Sequence, residues 1–240
     1  IINLLNPSDS ITLIIRDELK DFIRHKYPAY NVNPTIIPKG VFLNSSCIWD
    51  SSLLKKISDG KVFVMNDVLI AANSNIDIEY GSLEDFYAST KEVSTNIELP
   101  YIKYLWDCIY LSHKQIELDF NNFLNQKLGF IHPSVVIDND EYVYLGEKSF
   151  IGAGSILDAS EGPIIIDDRV KVDIGSLIKG PIYIGRDSVI NPGSKLRGNV
   201  ILGPVCKVGG EIEDSIIQGF SNKQHDGFLG HSYLCEWINL

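Results

Sequence analysis

Within eight residues, Ser221-Asn-Lys-Gln-His-Asp-Gly-Phe228 gathers an imidazole, an ammonium, a carboxylate and two side-chain amides. His225 is the leading catalytic candidate, because an imidazole accepts a proton near neutral pH. Acyl transfer from a thioester to an amine needs such a base, since the ammonium form of the acceptor has no lone pair for attack. Lys223 and the upstream Arg197 are the cations whose charge suits a phosphorylated substrate, with Asn222 as their polar neighbour. The competing description is a solvated histidine in a polar turn, with both cations as surface charges.

This segment interrupts a repeat. Counting by six from Ile166 gives Val172, Ile178, Ile184, Ile190, Leu196, Leu202 and Val208, every one aliphatic. The same period runs upstream through Leu145, Ile151 and Leu157, offset by an insertion of about three residues at Glu161-Gly162-Pro163. It returns downstream at Ile216, Phe228, Leu234 and Leu240, with Asn222 as the polar break. A period of six with frequent glycine suits a triangular coil of three short strands per turn, whose aliphatic residues stack inward from rung to rung. Neither a heptad nor a 3.6-residue helix gives strict sixes. Residues 129–240 are therefore assigned to a left-handed parallel β-helix of hexapeptide repeats. The flat sides of such a coil favour association, and a homotrimer is the expected assembly.

The first half has another rhythm. Ile11–Ile15 reads as a strand and Asp17–Tyr27 as a helix whose first-turn acids meet the positive end of its dipole. Strands are expected at Val41–Asn44, Lys61–Met65 and Val68–Ala72, with Asn66-Asp67 as a tight turn. Residues 73–100 read as polar and irregular. A long helix fits Ile102–Asn125, with Ile102, Leu105, Trp106, Ile109, Ile116, Phe120 and Phe123 on one face. Residues 1–128 thus read as a partial α/β Rossmann-like domain.

The 240 residues carry 21 basic and 31 acidic side chains, a net charge of −10, and neither half is a basic platform for a nucleic acid. No apolar run approaches the roughly 18 residues that cross a bilayer, so no membrane partner is expected. The four cysteines lack metal-like spacing and suit reduced, mostly buried thiols in a cytoplasmic protein. No metal site is expected: His225 and His231 are six apart, which puts them on different faces of a coil.

Several stretches carry a resemblance: Lys195-Leu-Arg-Gly-Asn199, Cys206-Lys-Val-Gly-Gly210, Ser221–Gly230 and Glu236-Trp-Ile-Asn-Leu240, with Gly40-Val-Phe-Leu-Asn-Ser45 and Leu105-Trp-Asp107 in the first half. They resemble a bacterial sugar nucleotidyltransferase family similar to the bifunctional enzyme that acetylates glucosamine 1-phosphate and then uridylylates the product to UDP-N-acetylglucosamine. The resemblance implies a Rossmann-like nucleotidyltransferase domain followed by a left-handed β-helix. It implies acetyl-CoA and an amino-sugar phosphate as partners, with UTP and Mg for the nucleotidyl half. His225 falls on the general base, within a pattern resembling His-x-x-aromatic-Leu-Gly. Phe228 stands where the bifunctional enzyme has a substrate-contacting Tyr, and Asn239 falls on a substrate-binding Asn. The family's basic pair upstream of the His is replaced by Glu213-Asp214-Ser215, and the Gly-rich phosphate loop has no counterpart in residues 1–128. The chain therefore reads as a fragment of a longer enzyme. Two other functions fit the same resemblance: nucleotidyl transfer with the β-helix as a trimerisation and regulatory arm, or a non-catalytic scaffold.

Overall fold

The computed structural model describes residues 9–55, 57, 62–90, 94–96, 98–123 and 126–240. It divides into two compact units, Ile1–Lys103 and Tyr104–Leu240. The division falls before the long helix, where the sequence places the boundary after residue 128.

In the first unit, β1 (Thr12–Leu13) pairs in parallel with β2 (Asn31–Val32), and α1 (Lys20–Lys26) connects them after a 3-10 turn at Asp17–Leu19. The expected helix thus starts three residues late, while Asp21 and the Arg24-His25-Lys26 cluster sit at the ends its dipole favours. The β3 strand (Ile36–Ile37) pairs later in the chain with β7 (Ile78–Glu79). The central sheet joins β4 (Gly40–Leu43), β5 (Val62–Met65) and β6 (Val68–Ser74) to β8 (Ser94–Asn96), in the order β4-β6-β5-β8. Pairing is antiparallel except between β5 and β8. Asn66 (φ 49°) and Asp67 (φ 63°) are both left-handed, the geometry a two-residue hairpin with right-twisted strands requires. Ile70 and Ala71 of β6 pack with Phe63, Trp49 and Cys47, beneath the short helix α2 (Ser51–Leu54).

One expectation for this unit is corrected. Residues 73–100 are not irregular throughout: they hold β7, β8 and the helix α3 (Leu83–Thr90). Its sequence, LEDFYAST, is polar enough to hide an eight-residue helix from a periodicity reading. Lys61, at the edge of an expected strand, lies outside the described residues.

The second unit is the coil. Eighteen short strands form three six-stranded parallel sheets, each strand pairing with its equivalent one turn away. The first face runs from Phe130–Ile131 to Asn222–Lys223, the second from Val136–Asp138 to Phe228–Gly230, and the third from Val143–Leu145 to Tyr233–Leu234. This is the left-handed parallel β-helix. All eight aliphatic residues from Ile166 to Val208 point inward and are sealed from solvent. Leu145 pairs with Ile166 while Ile166 pairs with Ile184, so the upper rung holds the three extra residues the sequence showed at 161–163. Buried serines bind neighbouring rungs: Ser188 Oγ donates to the Gly203 carbonyl at 3.1 Å and accepts the Cys206 N–H at 3.0 Å. Cys206 is buried in this core, Cys47 in the other unit's; Cys108 is half-buried, Cys235 exposed, and all four are free thiols.

The outward residues of the third face, Tyr144, Ile165, Tyr183, Ile201, Ile216 and Tyr233, form an apolar column. The helix α4 (Leu105–Phe120) packs on it, burying Ile109, Ser112 and Ile116. Asn199 fastens the helix, accepting from Ser112 Oγ at 2.7 Å and donating to the Ile109 carbonyl at 3.1 Å. The helix is shorter than Ile102–Asn125, and its apolar face is narrower, because Leu105 and Trp106 are exposed. Asn125 lies outside the described residues.

Candidate functional site

The downstream frame of sixes is also corrected, and the correction builds the site. After Val208 the corner shrinks to Gly209-Gly210, so Ile212 takes the inward position four residues on, and Ile217 follows after five. Ile216 is therefore outward, and Phe228 is 61% exposed instead of stacked. A rung of 18 residues (Ile190 to Val208) becomes one of 15 (Val208 to Lys223). The following corner, Gln224–Gly227, has full length and folds over the shortened one. Gly210 (φ 73°) allows this: a Cβ there would stand 2.7 Å from both the Gly227 carbonyl and Lys223 Nζ. From outside, Asn191 Nδ2 donates to the Gln224 carbonyl at 3.0 Å.

His225 lies exposed in this folded-over corner. Asn222 and Asn239 are register partners in neighbouring rungs of the first face, at outward-facing positions, and Asn222 leads directly into that corner. The Asn222 N–H donates to Ile238 at 2.8 Å, and its carbonyl accepts from Leu240 at 3.0 Å. Phe228 opens the second face beyond the corner, with its ring over Gly230. Four of the six expected site residues thus gather around one corner: Asn222, His225, Phe228 and Asn239.

The two cations do not join them. Lys223 points inward and is 7% exposed, with Nζ donating to the carbonyls of Gly209 (2.8 Å), His225 (2.7 Å) and Gly227 (2.9 Å). An ammonium has three N–H bonds, and all three are used, so the reading of Lys223 as a substrate-facing cation is corrected. Arg197 faces out from the second face, with Nη1 2.6 Å from Glu211 and 3.7 Å from Glu213. These carboxylates raise its pKa, Glu211 foremost through its hydrogen bond, and two acids beside one guanidinium disfavour a phosphate there. A cation the sequence reading missed is Lys207, outward on the first face and the register partner of Asn222. Its signal was alternation: with Val208 inward, Lys207 has to face out.

His231 sits at the opposite end of the second face, with Nδ1 3.7 Å from Asp214. In the first unit, a cleft of about 500 Å³ is lined by Asp17, Lys20, Asn33, Glu79 and Tyr80, among others. Asn33 is committed within it, bonding both backbone groups of Ile15 and the Asp17 carboxylate. Two acids against one lysine make a poor seat for a polyphosphate.

A left-handed coil of stacked six-residue units, joined to an α/β domain, defines a hexapeptide-repeat protein. Residues 2–127 match the family model described as sugar nucleotidyl transferase, and the chain belongs to that family. The bifunctional protein GlmU of Thermodesulfovibrio yellowstonii is 26% identical over 210 residues, covering 79% of this chain and 44% of that protein. The bifunctional protein GlmU of Rippkaea orientalis is 32% identical over 98 residues, 40% of this chain and 20% of that one. The chain spans less than half the length of either relative.

Proposed function

We propose that this protein serves nucleotide-sugar biosynthesis and that its coil transfers an acetyl group from acetyl-CoA to the amine of an amino-sugar phosphate. One observation carries the reading: the exposed His225 stands in a corner fixed from inside by Lys223 and from outside by Asn191, beside the paired Asn222 and Asn239. The neutral imidazole takes a proton from the amine as its lone pair attacks the thioester carbonyl. The tetrahedral intermediate collapses, the C–S bond breaks, and the CoA thiolate leaves with a proton returned to it. Backbone N–H groups near the corner stabilise the oxyanion. Asn222 and Asn239 hold the sugar hydroxyls, Phe228 supplies an apolar wall, and Lys207 meets the phosphate. A neighbouring subunit of a homotrimer completes the pocket. No described helix is long and apolar enough to cross a membrane.

A second reading is favoured by the family match over 2–127: nucleotidyl transfer from UTP with Mg to a sugar 1-phosphate, with the coil as a trimerisation arm. Two assays on the purified protein separate them. Thiol release from acetyl-CoA in the presence of glucosamine 1-phosphate supports acetyl transfer. Pyrophosphate release from UTP, with no thiol released for any amino-sugar phosphate, replaces it with the second reading.

A further inference from the structure

Lys223 is the only charged side chain buried among the described residues. It occupies an inward position of the first face, stacked on Val208, where any aliphatic residue would satisfy the coil. A charge taken out of water persists only where its hydrogen bonds are met in full. Here they are met by three carbonyls with a common feature: two belong to the corner that carries His225, and the third to the shortened corner beneath it. The lysine therefore ties the two corners together from inside. One of the bonded carbonyls is that of His225 itself, so the peptide that bears the imidazole is held directly. Gly210 leaves room for this bond set, and Asn191 holds the Gln224 carbonyl of the same corner from outside.

We propose that Lys223 is a positioning residue for His225: its buried ammonium fixes the Gln224–Gly227 corner over Gly209-Gly210 and so sets where the imidazole stands. The catalytic consequence rests on the acetyl-transfer reading; the structural tie does not. Burial pushes the Lys223 pKa down, with Asp226 opposing, and the three carbonyls favour the charged form in turn.

The test is Lys223→Met, which keeps a flexible stem of similar length in the stack and removes the ammonium. Amide exchange in residues 222–228 should accelerate at least about tenfold while the rungs from Ile166 to Leu202 stay protected. In the acetyl-transfer assay kcat should fall on the order of a hundredfold, with the KM for acetyl-CoA close to wild type, as displacement of a base predicts. Lys223→Gln, which returns two donors, should fall between the two. Unchanged exchange in 222–228 overturns the proposal. So does loosening of the whole coil, which would make Lys223 a core element and nothing more. If wild-type protein releases no thiol, the acetyl-transfer reading fails, and the exchange comparison still decides the role of Lys223.

Discussion

From Ile166 to Val208 the coil turns an aliphatic side chain inward at every sixth residue; after Val208 the inward residues are Ile212, Ile217, Lys223, Leu229 and Leu234, at uneven intervals. The first stretch is a scaffold in which each inward aliphatic residue repeats the last at a constant interval of six. The second loses residues at its first two corners, and this mismatch makes the next corner fold across instead of stacking. Rigidity and chemistry thus come from the same architecture: a few deleted residues convert a repeating wall into a platform that holds a histidine in the open. The buried lysine is the other side of that change, since a folded-over corner turns carbonyls inward that need a donor.

The comparison makes graded predictions. Ile184→Ala in the regular stretch should cost about 2–5 kcal/mol in thermal or denaturant unfolding, because neighbouring rungs cannot close the cavity. A smaller cost would mean that the coil relaxes more easily than its sealed core implies. Gly210→Ala should cost about 1–3 kcal/mol, through a left-handed backbone and a methyl driven against Lys223 and Gly227. Unlike the core variant, it should disturb exchange mainly in residues 222–228. Lys207→Ala should raise the KM for the sugar phosphate about tenfold, the value of one charged hydrogen bond. Arg197→Ala should leave that KM within about twofold, since Glu211 and Glu213 already occupy its charge. The reverse order would restore Arg197 as the phosphate ligand.

The smallest effect belongs to a corner of the regular stretch. Arg169 Nε and Nη2 bond the two carboxylate oxygens of Asp187 at 2.7 and 2.8 Å, chiefly a hydrogen-bond effect that lowers the Asp187 pKa. A depressed carboxylate stabilises the fold above its unfolded pKa, about 3.9, and loses that contribution as pH falls through the lower folded value. Arg169→Ala should therefore lower the unfolding midpoint slightly at pH 7, with the difference shrinking toward strong acid. A difference that grows in acid would show that the pair does not act through Asp187.

Much of this was legible in the residues. Strict sixes located the coil, and the insertion at 161–163 appeared as a broken count. What failed was the frame past Val208: restarted at Ile216, it lands on Asn222 and makes Lys223 an outward cation, whereas the inward residues are Ile217 and Lys223, one position further on. Nothing in Gly209-Gly210 announces the shortened corner, because glycine also fills full-length corners such as Gly193. The ion pairs of Arg197 were hidden for a related reason, as Glu211 and Glu213 come beside it only through the rung-to-rung register. The choice of His225 rests on its imidazole in the polar break of the repeat, and that of Asn239 on the resemblance, so neither depends on the count. In the first unit β5 and β6 stood out through their hairpin turn, while α3 carried too little apolar periodicity to show.

The most direct measurement is thiol release from acetyl-CoA with glucosamine 1-phosphate, run beside thermal unfolding, for wild type and His225→Ala. Turnover should fall at least about a hundredfold while the unfolding midpoint stays unchanged, since the imidazole is exposed and supports no core contact. Equal turnover in the two proteins, or none in wild type, would contradict the account.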